Sequence, residues 1–237
     1  MIMKRGVIIL TAIMLGISIL VSASAVLADD AIWTNWTSAN SEGVYGTLNI
    51  GSGTVDVSYS GPYTGYTQLN GGGPINGLVD RRDYWIPSAP YISSVVPNAP
   101  STTDIITLSD AGTKTITFSQ PVTNPVLALV SWNGNVVDFG VPIEILSYGT
   151  GYWGGGAYPV LNADGKGFYV QPTAQGEEFH GVIKLPGTYS AITFTDKYYE
   201  NWHGFTVGVD APVPEPLTML LLGSGLVGLA AVRRYTK

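Results

Sequence analysis

Few residues in this chain have the chemistry for acid–base work or metal binding. Its 237 residues include two histidines and no cysteine. Disulfides, thiolate metal sites and cysteine nucleophiles are therefore excluded. His180 follows Glu177-Glu178-Phe179, and His203 follows Trp202. Neither sits in an H-x-x-x-H or H-E-x-x-H pattern, which would set two ligands on one helix face. They read as a surface His180 and a turn His203 bonded to backbone. Glu177, Glu178 and Glu200 could flank a glycosidic bond, but that needs carboxyls about 5 Å apart in retaining enzymes and farther in inverting ones. Spacing along the chain carries no such distance, so solvated surface carboxylates are expected. Asn162-Ala163-Asp164-Gly165-Lys166-Gly167 starts like a calcium loop but lacks the second acid and the distant glutamate. A hairpin turn at Asp164-Gly165 explains it better. Asp29-Asp30 and Asp80/Asp83 offer oxygen donors without a ligand pattern. With no G-x-S-x-G elbow, phosphate loop or dinucleotide fingerprint, no catalytic residue, metal or cofactor is expected, and the chain reads as non-enzymatic.

Aromatic side chains are the stronger hint of a ligand. Trp33, Trp36, Trp85, Trp132, Trp153 and Trp202 accompany 14 tyrosines. Such rings stack on sugar faces, and the glycine-rich Tyr152-Trp153-Gly154-Gly155-Gly156-Ala157-Tyr158 is a segment able to expose them. Trp153, Tyr152 and Tyr158 are thus candidate glycan-stacking residues. Trp132 ends an apolar run and reads as core. For the set as a whole, packing in a core or at strand ends is the commoner fate.

Positioning these residues falls to the middle of the chain, 29–212, a length that fits one domain. Its 6 basic and 16 acidic residues give a net −10, while the two flanks each add +2 to reach the overall −6. No basic nucleic-acid footprint is present. Charged residues make up 12% of the chain, about half of the usual share. The 30 glycines and 15 prolines favour turns and short strands over long helices. Apolar runs predict strands at Val44–Ile50, Thr54–Ser60, Ile105–Leu108, Lys114–Ser119, Val126–Trp132, Val136–Phe139, Ile143–Tyr148, Phe168–Gln171, Phe179–Leu185, Ala191–Asp196 and Phe205–Val209. Ile116 and Phe118 alternate with threonines, as in a half-buried strand. The unbroken Val126–Val130 run suits a central one. Strands at this spacing predict an all-β fold, an antiparallel β-sandwich of jelly-roll-like type. The irregular 61–104 stretch reads as a long loop over one sandwich face.

Both flanks read as addresses. Lys4-Arg5, the apolar Gly6–Val21 run and Val26-Leu27-Ala28 form a secretory signal, cut between Ala28 and Asp29, with Ala25 as the alternative mature start. At the other end, Pro214-Glu215-Pro216 precedes the uncharged run 217–232 and then Arg233-Arg234. As a helix that run would rise about 24 Å, close to a bilayer core of about 30 Å. A transmembrane helix is expected there, with the arginines on the cytoplasmic side. Triad, apolar span and basic end, in that order, resemble the PEP-CTERM sorting signal of exported bacterial proteins. The resemblance implies an exosortase as partner, a transient membrane anchor and recognition of Pro214, Glu215 and Pro216. It also implies export across the inner membrane of a Gram-negative bacterium, to the surface or an extracellular matrix rich in exopolysaccharide. The segments 116–132 and 200–208 are similar to ectodomains of other proteins of that kind, implying a shared β module without a known ligand. Together these readings give a structural or adhesive biofilm protein, with a carbohydrate-binding module and a secreted glycan-active enzyme as alternatives.

Overall fold

The computed structural model describes residues 30–51, 53–78, 81–170 and 177–209. The expected signal and transmembrane helices, Ala28, Asp29, the Pro214–Pro216 triad, Arg233 and Arg234 lie outside these residues. Among the described residues, no helix is long and apolar enough to cross a membrane.

The fold is all-β. In chain order the strands are β1 (Ile32–Trp33), β2 (Asn35–Asn40), β3 (Gly43–Asn49), β4 (Thr54–Ser60), β5 (Ile106–Leu108), β6 (Gly112–Thr123), β7 (Pro125–Trp132), β8 (Val136–Asp138), β9 (Glu144–Tyr148), β10 (Val160–Leu161), β11 (Gly167–Tyr169), β12 (Phe179–Lys184), β13 (Thr188–Asp196) and β14 (His203–Val209). All pairings are antiparallel. One sheet runs β1-β14-β7-β12-β9, with β5 also on β14; the other runs β10-β11-β8-β13-β6-β4-β3-β2. A single apolar cluster joins them. Leu127 and Leu129 of β7, Ile183 of β12 and Phe205 of β14 meet Val57 and Tyr59 of β4, Ile116 and Phe118 of β6, and Phe194 of β13.

The other face of the first sheet is also buried. Val126, Ala128 and Val130 of β7 and Val182 of β12 pack against Tyr84, Trp85, Tyr91 and Val96. These four belong to the long stretch between β4 and β5, whose described residues form no strand and only a short 3-10 turn at Ala89–Tyr91. Hence every residue of β7 is buried, which accounts for its continuous apolar sequence. Asp104, itself buried, clasps this stretch to the second sheet by accepting the Trp36 N–H and the Gly71 N–H.

Three strands escape the apolar pattern: β1, β2 and β10. β2 is an edge strand of sequence NWTSAN in which only Trp36 is buried, so no periodic signal exists. β6 runs beyond the expected Ser119 through Pro121, because the register shifts between Tyr189 and Ala191 on β13. A bulge there spares the proline a ladder N–H. The Asp164-Gly165 turn joins β10 to β11, with Gly165 at φ +69° and its N–H donating to the Asn162 carbonyl.

Candidate functional site

Two of the expected surface groups are in fact buried at one end of the first sheet. His180 lies in β12, fully buried, because both faces of that sheet are covered. Opposite it, β7 carries a bulge: Trp132 pairs with Phe179 and Leu129 with Gly181, so Val130 and Ser131 together face His180. Ser131 adopts φ +60°, a conformation costing roughly 1–2 kcal/mol for a residue with a side chain. Its N–H donates to His180 Nδ1 at 3.2 Å. With Nδ1 accepting, Nε2 carries the ring hydrogen. It sits 3.2 Å from Glu178 Oε2 without the alignment of a full hydrogen bond.

His203 is also fully buried. Its partner is a carboxylate rather than backbone: Nε2 lies 3.1 Å from Asp196 Oδ2. Asp196 pairs in turn with buried Lys114 at 2.9 Å, whose ammonium also donates to the Asp110 and Gly112 carbonyls. The other ring nitrogen of His203, Nδ1, faces Glu200 Oε2 at 3.3 Å. Burial lowers the His203 pKa, the Asp196 hydrogen bond and charge oppose that, and Lys114 adds to it. A neutral ring that donates from Nε2 has only a lone pair at Nδ1. A carboxylate facing a lone pair would be repelled; a carboxylic acid is tolerated there, although the two atoms lack the alignment of a full hydrogen bond. Burial, with the charges of Asp196 and Glu178, pushes Glu200 up to about 9 against the opposing Asn133 N–H. Glu200 is therefore a neutral acid at pH 7, and the chain Lys114–Asp196–His203–Glu200 holds one ion pair and two neutral members.

Asn133 brings the second carboxylate in. Its N–H donates to Glu200 Oε1 at 3.0 Å, and its Nδ2 to Glu178 Oε1 at 3.3 Å. Glu178 and Glu200 thus share one cavity of about 400 Å³, floored with Ser131 and Asn133 and walled by Trp153, Asn201 and Trp202. The expectation of solvated carboxylates fails for both, and holds only for exposed Glu177. Among the described residues, no group of three or more His, Cys, Asp or Glu is arranged to hold a metal ion. The hydrogen on His180 Nε2 also denies that nitrogen a metal.

The glycine-rich loop sets the wall. Gly156 and Ala157 donate their N–H groups to the Glu178 carbonyl, and Gly149 donates to the His180 carbonyl. Gly151 lies so close to His180 that a Cβ there would fall 2.2 Å from Cγ. Pinned this way, Trp153 stays 47% exposed. It packs edge-on against Tyr152 and Trp202 and near Tyr84, with ring centroids 4.9, 6.0 and 6.3 Å away. Tyr152 is half-buried and braced by Tyr84. Tyr158 is exposed but turns to Tyr148 and does not line the cavity. Trp132 is core, as expected. An adjoining cavity of about 490 Å³ shares Trp153, Asn201 and Trp202 and adds Tyr66, Leu78, Arg82 and Tyr84. Sequence reasoning gave no site role to Tyr84, Asn133 or Ser131 and named Trp202 only within the aromatic set. Trp202, two residues after Glu200 and next to His203, alone carries a local signal.

Asp83 and Asp164, raised above as oxygen donors, each accept a nearby backbone N–H, from Trp85 and Lys166. Asp29 and Asp80 lie outside the described residues.

No curated protein and no solved structure matches this chain. One family model does, the PEP-CTERM protein-sorting motif, at residues 212–234. It covers the Pro-Glu-Pro triad, the apolar run and both arginines, and it implies export and a membrane-anchored precursor. The chain thus carries the PEP-CTERM sorting motif, which marks an extracellular protein sorted by an exosortase.

Proposed function

We propose that the domain is a non-enzymatic glycan-binding module, exported and then released to the cell surface or matrix of a Gram-negative bacterium, where it ties the protein to exopolysaccharide in a biofilm. One observation carries the reading: a cavity of sugar-ring size walled by Trp153 and Trp202 and floored by hydrogen-bonding Asn133, Glu178 and Glu200. Apolar walls with a few converging polar groups are the usual make-up of a small-ligand site. Stacked indoles supply affinity while the carboxyl and amide groups set orientation. The −10 charge of residues 29–212 adds solubility outside the cell. The basic, apolar tail would hold the precursor in the membrane until the exosortase acts. Pro214 and Pro216 favour an extended segment around Glu215, the form a protease binds.

Glycan-array binding by the protein, lost in Trp153→Ala at an unchanged unfolding midpoint, is the expected result. Failure to bind any glycan would leave a purely structural or adhesive role. A second reading, a glycan-active enzyme, is favoured by one feature: Asn133 brings a neutral acid, Glu200, and a second carboxylate, Glu178, to one cavity. Glycan turnover abolished in Glu178→Gln would establish it and displace the non-enzymatic reading.

A further inference from the structure

We propose that the adjoining cavity is a second sugar subsite, so that the domain binds a run of at least two linked sugars, one on each side of exposed Trp153. This rests on the glycan-binding reading and deepens it from a single sugar to a chain.

The two cavities have Trp153, Asn201 and Trp202 in common but differ in what completes them. Asn133, Glu178 and Glu200 finish the first, and such groups fix one sugar by its hydroxyls. Tyr66, Pro74 and Leu78 help finish the second, so it grips by apolar contact. Tyr66 and Leu78 are 46% and 52% exposed, beside Trp153. Large apolar side chains left open together mark a binding surface. Backbone hydrogen bonds hold this one open. Thr64 N–H donates to the Thr107 carbonyl at 2.8 Å and Gln68 N–H to the Ile105 carbonyl at 3.0 Å, so Tyr66 is fixed on both sides. Ile75 N–H donates to the Thr67 carbonyl at 2.9 Å, which ties Pro74 to the same loop. On the Trp202 side, Ser109 Oγ donates to the Asn201 carbonyl at 3.1 Å, and Glu200 N–H to the Ser109 carbonyl at 3.0 Å. Ile105, Thr107 and Ser109 lie in or next to β5. One short strand therefore anchors both sides of the second cavity. A wall built in advance spares a ligand the cost of ordering it. The next sugar of a bound chain is the occupant that fits. It arrives tethered to the first, so even a weak contact of its C–H face with Tyr66 adds affinity, while its hydroxyls stay in water. The 61–104 excursion thereby serves the ligand as well as covering β7.

Calorimetric titration of the full chain with soluble ladders of one to four sugars tests this. The ladders are β-1,4-linked glucose, β-1,4-linked N-acetylglucosamine and β-1,4-linked mannose. In the ladder that binds, the tetrasaccharide is expected to bind at least about tenfold more tightly than the monosaccharide, the upper end of what one aromatic contact supplies. Tyr66→Ala should remove most of that gain, with the monosaccharide affinity and the unfolding midpoint unchanged. Leu78→Ala should act in the same direction and decides the matter if Tyr66→Ala lowers the midpoint. A gain no larger than the number of sugars in the chain is what one subsite gives by statistics; it would overturn the second subsite and leave glycan binding intact. A full gain that persists in both variants would overturn the assignment to this cavity. Equal losses at every chain length in both variants would also overturn it, making these residues supports of the first cavity. Silence of all three ladders would overturn the inference, and a silent glycan array would remove the wider reading with it.

Discussion

Glu200 makes a quantitative prediction about stability and pH. In the unfolded chain its carboxyl titrates near 4.5, whereas in the folded protein burial holds the proton to about 9. Between those values the folded state binds the extra proton, so stability falls as pH rises. His203 acts oppositely: its folded pKa is lowered from 6.5, so stability is lost as pH drops below 6.5. The two slopes oppose one another on the acid side of 6.5. Above it Glu200 acts alone, at about 1.4 kcal/mol per pH unit. From pH 6.5 to 8.5 that is about 2–3 kcal/mol, the slope easing as the pH nears 9. Glu200→Gln keeps an oxygen to accept the Asn133 N–H and an N–H to donate to His203 Nδ1, and it does not ionise. Urea unfolding of both proteins at the two pH values isolates the effect, since all other groups are common to them. The variant should gain about 2–3 kcal/mol on the wild type between the two conditions. A difference between the proteins that is the same at both pH values would refute the neutral-acid assignment.

Lys114→Met leaves Asp196 buried with only His203 beside it and should cost about 3–5 kcal/mol of stability; adding Asp196→Asn should recover part of that, and no recovery would mean the lysine matters through packing alone. Gly151→Ala drives a Cβ into the His180 ring, so both the unfolding midpoint and glycan affinity should fall; an unchanged midpoint would contradict the close approach. Asp104→Ala strands the Trp36 and Gly71 N–H groups and should cost about 1–3 kcal/mol with faster protease cutting between residues 61 and 104, and a wild-type cutting rate would speak against the clasp. Glu215→Ala should stop tail removal in cells that contain the exosortase without moving the unfolding midpoint, as read by mass spectrometry of the released protein; trimming at the wild-type rate would exclude Glu215 as the recognition handle.

Strands whose apolar residues alternate or run together, such as β4 and β7, were legible in the sequence because burial imposes the pattern directly. β2 was not, since an edge strand with one buried residue leaves no period to read. The stretch 61–104 reads as a loop over a sheet face and packs as one, yet nothing local shows that Tyr84 and Trp85 seal that face. The site was legible in parts. Trp153 stands out among glycines, but the burial of His180 depends on the close approach of Gly151 from another part of the chain. The grouping of Glu178 with Glu200 depends on Asn133, 45 and 67 residues away from them. Such a three-way meeting follows from strand order alone. Nothing local marks Lys114 as buried, and only the pairing of β6 with β13 sets it against Asp196.

Strand β14 has a consequence for where a tethered molecule could reach. Its first residue, His203, abuts the ligand cavity, and its last, Val209, leads toward the sorting tail. Ile32, near the start of the described residues, pairs with that same Val209. The two ends of the described domain therefore meet at one end of β14, and the residues that line the cavity lie at the other. The seven residues of β14 span about 20 Å, so the strand works as a built-in spacer.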